Sequence, residues 1–296
     1  MMRVAVTGAS GFIGRGVVQA LDDAGFRVRA IVRSQPVPGS LPEDAEVCRL
    51  AGLAEDPEGL RQACSDADLI VHLADNPERA EADSGSATLA RSLVRAAVDE
   101  SVPRVVFASS IYATFDERGQ ASDYGAGKRE AERIFADTPG VDTVVLRLPP
   151  VYGPGGKGGF ALVTKLVRRG WPLPFGLARA KRAYLSRDNL AALVVALAKA
   201  DGASFRAASE HVWEPSDTAV STADLARAIA AATGKTPLLL PMPSAALALP
   251  AALLGKRAGA EAIFSSLECA DDAKLRELTG WHPSTDLVAN LGYLRD

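Results

Sequence analysis

Tyr124 and Lys128 stand four residues apart and are the pair in this chain best suited to moving a proton. On a helix this spacing puts both side chains on one face. A phenol ionises with a pKa of about 10, too high for ready proton transfer at neutral pH. A neighbouring ammonium favours the phenolate and lowers that value. Such a tyrosine can exchange a proton with a substrate hydroxyl while a hydride moves to or from the same carbon. Ser110 lies at the end of the strand pattern Arg104–Ser109 and is placed to hold the substrate oxygen, with Ser109 as its rival.

A hydride needs a carrier, and the first fourteen residues supply the pattern for one. The run Val4-Ala5-Val6 leads into Thr7-Gly8-Ala9-Ser10-Gly11-Phe12-Ile13-Gly14, followed by Val17, Val18 and Leu21 at helical spacing. This reads as strand, glycine turn and helix. Glycines let the backbone approach a pyrophosphate, and the helix start offers it N–H groups and partial positive charge. Gly8, Ser10, Gly11, Phe12, Ile13 and Gly14 are the candidate cofactor contacts, joined by Tyr124 and Lys128. A second triplet, Gly153, Gly156 and Gly159, has the same spacing but follows Pro149-Pro150 and contains Pro154; it reads as a loop. Dinucleotide sites for NAD place an acid at the end of the second strand to accept the ribose 2′-hydroxyl. The segment from Arg27 to Gln35 has none and carries Arg33. A guanidinium pairs well with a 2′-phosphate, so NADP(H) is favoured over NAD(H).

Strand patterns fall at Arg3–Thr7, Arg27–Val32, Glu46–Leu50, Asp68–Leu73, Arg104–Ser109 and Thr143–Leu148. Helical patterns fall between most of them, at Phe12–Ala24, Pro57–Cys64, Ala87–Glu100 and Tyr124–Ala136. Strands apolar on both faces, alternating with helices, predict an α/β fold with a Rossmann-type doubly wound parallel sheet. That dinucleotide-binding domain is expected to span residues 1–150. The rhythm changes after Pro149. Helices are expected at Phe160–Arg169, Asp188–Lys199, Thr222–Thr233, Ser244–Leu254 and Asp271–Leu278. Short strands are expected near Arg182–Leu185, His211–Trp213 and Pro237–Leu240. Residues 151–296 thus read as a smaller α/β substrate lobe, with the chain crossing back to the sheet.

The bulk numbers exclude several classes. A chain of 296 residues that is 48% apolar and 23% charged is an ordinary globular protein. A formal net charge of -3 gives no footprint for nucleic acid. No apolar run reaches the roughly 18 residues of a membrane span. The N-terminus runs straight into a strand and does not look like a signal peptide. Cys48, Cys64 and Cys269 are odd in number and widely spaced, so neither a disulfide framework nor a metal site is expected, and a cytoplasmic location fits.

The chain resembles the extended short-chain dehydrogenase/reductase family, in particular its NAD-dependent epimerase/dehydratase branch. The matching residues are Thr7–Gly14, Val71-His72-Leu73-Ala74, Phe107–Ser110, Tyr124-Gly125 with Lys128 and Glu132, and Leu146–Gly155. Arg182, Asp188-Asn189-Leu190 and the ending Gly280-Trp281-His282-Pro283 match as well, so the resemblance runs nearly the full length. The segment Arg147–Gly155 and the run from Arg169 to Gly176 look most like nucleotide-sugar enzymes, UDP-glucose 4-epimerase-like and UDP-N-acetylquinovosamine 4-ketoreductase-like. The resemblance implies a catalytic triad of Ser110, Tyr124 and Lys128, a cofactor wall at Leu73 and Ala74, and a homodimer built on the two helices Ala87–Glu100 and Tyr124–Ala136. It also implies that Arg182 contacts the diphosphate of a nucleotide sugar; a solvated arginine or a salt bridge to Asp188 is the alternative.

There are departures from that pattern. Only thirteen residues separate Ser110 from Tyr124, fewer than the family usually has. Ser86–Ala90 replaces the usual Asn-x-x-Gly-Thr, Gly52 stands where an Asp is common, Pro150 replaces an asparagine, and Asp75 stands where a small residue is typical. Three functions follow as expectations: an NAD(P)-dependent nucleotide-sugar epimerase or 4-ketoreductase; an NADP-dependent dehydrogenase or reductase of a free sugar acid, aldehyde or small ketone; or a cofactor-binding sensor without catalysis.

Overall fold

The computed structural model describes residues 1–75, 85–115, 122–243 and 263–295. The chain forms two compact units. The first gathers Met1–Leu148, Leu190–Pro215 and Asp271–His282; the second gathers Pro149–Asn189, Ser216–Ala270 and Pro283–Asp296.

In the first unit strands and helices alternate: β1 (Arg3–Thr7), α1 (Phe12–Asp23), β2 (Arg27–Val32), β3 (Glu46–Arg49), α2 (Pro57–Cys64), β4 (Leu69–His72), α3 (Gly85–Asp99), β5 (Arg104–Ser110), α4 (Asp123–Ala136) and β6 (Asp142–Leu148). A short strand Val212–Trp213 adds at the far edge. The seven strands form one parallel sheet in the order β3-β2-β1-β4-β5-β6 and then Val212–Trp213. The inner strands are apolar on both faces: Val4, Ala5 and Val6 on β1 and Leu69, Ile70 and Val71 on β4 are fully buried. One face is filled by Leu60, Leu93, Phe107, Ala131 and Phe135 from α2, α3, β5 and α4. Helix starts are fixed by short side chains. Asp56 accepts from Gly59 N ahead of α2, where Pro57 takes the first turn, and Ser122 accepts from Gly125 N ahead of α4. The strand order reverses between β1 and β4. In open parallel sheets that reversal opens a crevice at the carboxyl ends of the strands, where ligands bind.

The second unit is built on a three-stranded sheet of Val151–Tyr152, Lys181–Ser186 and Thr218–Ser221. The first pair is parallel and the second antiparallel. Helices Gly159–Arg168 and Thr222–Ala232 cover it, and Tyr152, Phe160, Tyr184, Leu225, Ile229 and Leu291 form its core.

The structure departs from the sequence expectations at a few elements. Pro237–Leu240 makes no strand; it contributes an isolated bridge, Leu173 to Leu239, with Leu240 N donating to Leu173 O. Pro241 has no N–H with which to extend the ladder. Val151–Tyr152, Thr218–Ser221 and the helix Gly202–Ser209 add to the expected list. That helix starts on an Asp201 side chain that accepts from Ser204 N. The expected helix Ser244–Leu254 lies outside the described residues. The expected loop at Gly153–Gly159 contains three positive-φ glycines, Gly153, Gly155 and Gly158, and the helix after it starts at Gly159, one residue before the expected Phe160.

Candidate active site

The turn after β1 closes on the backbone after β4. Gly8 has φ of 70° and a Cβ there would lie 2.7 Å from Ala74 N. A Cβ on Gly14 would collide with the Gly8 carbonyl oxygen. These two glycines are therefore required by close approach and not merely tolerated. Gly11 is the N-cap of α1 and brings no side chain to the first-turn N–H groups of Phe12, Ile13 and Gly14. A helix start of this kind is a ready anion site. In front of it lies a cavity of about 450 Å³ lined by Gly8, Ser10, Gly11, Arg33, Leu73 and Ala74, among others. Arg33 is exposed at the end of β2. The Glu55 side chain occupies the space over Gly52, bringing a carboxylate to the position where the sequence lacks one.

Asp75 also lines that cavity, and it ties the cavity to Tyr124 and Lys128. Tyr124 stands in the first turn of α4, which can press on the 3-10 turn Ile111–Thr114 because residue 125 is glycine: a Cβ there would collide with Tyr112 O. Lys128 follows one turn later and is almost wholly buried. The Tyr124 hydroxyl donates to Asp75 Oδ2 at 3.0 Å. The Lys128 ammonium stands 3.2 Å from the same oxygen and donates to Ala108 O at 3.0 Å. Ser86, from α3, donates to Asp75 Oδ1 at 3.0 Å. Sequence reasoning noted Asp75 and Ser86 only as departures. The meeting of Asp75 with Tyr124 spans dozens of residues and no local pattern announces it; the available signal was an acid three residues beyond a fully buried strand.

The two serines at the end of β5 separate as alternating strand residues must. Ser109 donates to Glu132 on α4. Glu132 in turn receives Arg147 at 3.0 Å to Oε1 and 2.8 Å to Oε2. Ser109 is thus engaged in a buried ion-pair network. Ser110 accepts from Tyr112 N at 3.3 Å and hydrogen-bonds with the Tyr124 hydroxyl. The structure brings Ser110, Tyr124 and Lys128 together and leaves Ser109 out.

The electrostatics follow from this packing. Burial opposes ionisation of Asp75, but the Lys128 charge and hydrogen bonds from Lys128, Ser86 and Tyr124 outweigh it and hold its carboxyl below the usual range. Burial pulls the Lys128 ammonium down, and Asp75 partly restores it. Burial also pushes the Tyr124 phenol well above its ordinary value, and the Asp75 charge and hydrogen bond add to the effect. His72, beneath the site, stacks on Phe107 and shares a 2.7 Å hydrogen bond with the Thr7 hydroxyl. Burial and the nearby Lys128 push its pKa down to about 3, so the ring is neutral.

In the second unit Arg182 is not solvated. It is buried on its strand and donates to Ser265 O at 3.0 Å and Ser265 Oγ at 3.2 Å. The Asp188 carboxylate receives Arg187 at 3.3 Å. The same unit holds a buried polar cluster that sequence reading missed. Asp217 accepts from Ser186 N at 2.6 Å, Asn189 Nδ2 at 2.7 Å and the Tyr152 hydroxyl at 3.5 Å. Burial outweighs these bonds and pushes the Asp217 carboxyl up.

Comparison with known proteins points the same way as the geometry. Residues 4–207 match the NAD dependent epimerase/dehydratase family. A UDP-glucose 4-epimerase from Vibrio cholerae is 28% identical over 96% of this chain and 92% of its own length. A ceramide reductase from Caulobacter vibrioides is 30% identical over 66% of this chain and 61% of its own. The crystal structure of Thermus thermophilus UDP-glucose 4-epimerase in complex with NAD superposes with a TM-score of 0.72 at 23% identity, covering 99% of each chain.

Proposed function

This chain belongs to the NAD dependent epimerase/dehydratase family, enzymes of the extended short-chain dehydrogenase type, and from that premise we propose that it interconverts an alcohol and a ketone on a nucleotide sugar, as a 4-epimerase or a 4-ketoreductase. The observation that carries the reading is the convergence of Ser110, Tyr124 and Lys128 at the carboxyl end of β5, with Asp75 joining them to the crevice at the strand reversal. A bound nicotinamide dinucleotide would supply or accept the hydride. The residues fit such a cofactor. Gly8, Ser10, Gly11 and Gly14 make a tight turn that a Cβ at Gly8 or Gly14 would force open against Ala74 or the Gly8 carbonyl, the start of α1 with Phe12 and Ile13 would take the pyrophosphate, and Leu73 and Ala74 would form a wall. Arg33 on the cavity rim favours NADP(H) by pairing with a 2′-phosphate.

The chain's own groups then divide the work. Tyr124 moves the proton to or from the substrate oxygen, Ser110 holds that oxygen, and Lys128 keeps positive charge beside the phenol. Arg182 serves the diphosphate, after leaving Ser265. The Vibrio cholerae relative's 4-epimerase activity supports the sugar class. A homodimer through α3 and α4 belongs to the same reading: of the stripe Leu89, Leu93, Val94 and Val98, Leu93 is buried on the sheet and Val98 stays exposed.

The experiment is a ligand panel on the protein loaded with NADPH or NADH. UDP- and dTDP-sugars should raise the melting temperature of the loaded protein, and Tyr124→Phe should abolish turnover without abolishing that shift. No shift with any nucleotide sugar sinks the sugar assignment. The Caulobacter ceramide reductase favours a second reading, reduction of a non-nucleotide carbonyl on the same Tyr124 site; turnover of a carbonyl panel with NADPH would select it.

A further inference from the structure

We propose that Asp75 keeps the proton on Tyr124 through the working pH range, so that the site is set to give a proton to a carbonyl oxygen and not to take one from an alcohol. The inference rests on the reading of Tyr124 as the proton carrier. It deepens that reading by setting the pH at which each of its two half-reactions can start.

The geometry is a shared oxygen. Asp75 Oδ2 accepts from the Tyr124 hydroxyl at 3.0 Å and faces the Lys128 ammonium at 3.2 Å, while Ser86 anchors Oδ1 at 3.0 Å. The ammonium that would stabilise a phenolate is thus matched by a carboxylate in direct contact with the phenol. A phenol O–H can donate to that carboxylate, whereas a phenolate would face it as a like charge. Among the described residues, no other charged group faces the phenol. Tyr124 faces Ser110 from β5 and Tyr112 from the 3-10 turn, both uncharged, besides Asp75 after β4 and Lys128 on its own helix. Lys128 further faces His72, which is neutral, and Glu132, whose charge is held by Arg147.

The consequence is directional. In reduction the carbonyl carbon receives the hydride and its electron pair from a reduced nicotinamide, the C=O π pair moves onto oxygen, and that oxygen takes the Tyr124 proton. The phenolate left behind regains a proton from solvent, which the adjacent Asp75 favours. Oxidation runs the same bonds backwards and needs the phenolate at the outset. A 4-epimerase starts with oxidation, so the arrangement moves that first step to higher pH, while carbonyl reduction starts from the phenol as it stands.

The test reads the phenol itself. Tyrosinate absorbance is followed against pH in wild type, Asp75→Asn and Asp75→Ala, with the titration of the matching Tyr124→Phe protein subtracted from each to isolate one of the five tyrosines. The Asn variant keeps the shape if the Ala variant folds poorly. Both should bring the Tyr124 titration down by about one pH unit or more, a tenfold rise in phenolate at a given pH. The rising limb of alcohol oxidation against pH should move down with it. Superimposable titrations for wild type and Asp75→Asn overturn the inference. The underlying reading fails separately, by full turnover in Tyr124→Phe.

Discussion

Asp75 and Asp217 are two carboxylates, one in each unit, that each accept a tyrosine hydroxyl, and their ionisation is pushed in opposite directions. Desolvation is the largest influence on both and acts the same way. Asp217 meets it with neutral donors: a backbone N–H, an amide and a phenol. Those hydrogen bonds do not cancel the burial, and the proton is favoured. Asp75 has comparable hydrogen bonds plus an ammonium, and the ion is favoured. A single cation therefore separates a polar knot that ties a fold together from one that can do proton chemistry. Hydrogen bonds alone give the first; the second needs charge of opposite sign in contact.

The sharpest way to break this contrast is to delete the two phenols. Tyr124→Phe should lower turnover by about 10²–10⁴-fold, while Tyr152→Phe should leave turnover near wild type and lose only ~0.5–1.5 kcal/mol of stability. Steady-state kinetics and urea unfolding read both. Equal kinetic losses would mean the contrast is false. Next come the partners. Lys128→Met breaks the ion pair with Asp75 and should destabilise the fold by about 3–5 kcal/mol; Asn189→Ala removes one neutral donor from Asp217 and should lose about 1–3 kcal/mol. Urea midpoints that rank the other way would deny the cation its role.

The smallest effect is the pH dependence of stability. Asp75 has a lowered folded pKa, so its contribution is complete above the ordinary carboxyl value and fades as pH falls through the folded one. Asp217 has a raised folded pKa, so folding is favoured most below the ordinary value and loses ground as pH climbs to the folded one. The stability difference between wild type and Asp75→Asn should shrink on acidification; that between wild type and Asp217→Asn should grow. Parallel slopes across the acid range would remove the distinction.

The contrast also marks what a sequence discloses. The parallel sheet was legible because β1, β2, β4, β5 and β6 are buried on both faces, and long apolar runs between helices have few other meanings. The i, i+4 meeting of Tyr124 and Lys128 was legible because a helix fixes it locally. Thr218–Ser221 was not, since only one of its four residues, Ser221, is buried and it leaves no apolar trace. Neither carboxylate cluster was legible as a cluster. Asp75 reaches Tyr124, and Asp217 reaches Tyr152, through long-range packing that no periodicity encodes. Arg182 was read by its charge, and charge alone could not say that Ser265 holds it.

The contact between Gly8 and Ala74 has one more consequence. Gly8 is pressed against the backbone of Ala74, whose N–H donates to the Thr7 hydroxyl at 3.2 Å, and Asp75 is the next residue along. The glycine turn and the acid are bolted to a common bracket. A side chain forced onto residue 8 would lever the peptide carrying Asp75 away from Tyr124 and Lys128. In mechanical terms the cradle and the proton carrier's counterweight share one tolerance, and neither can be re-machined for a new ligand without retuning the other.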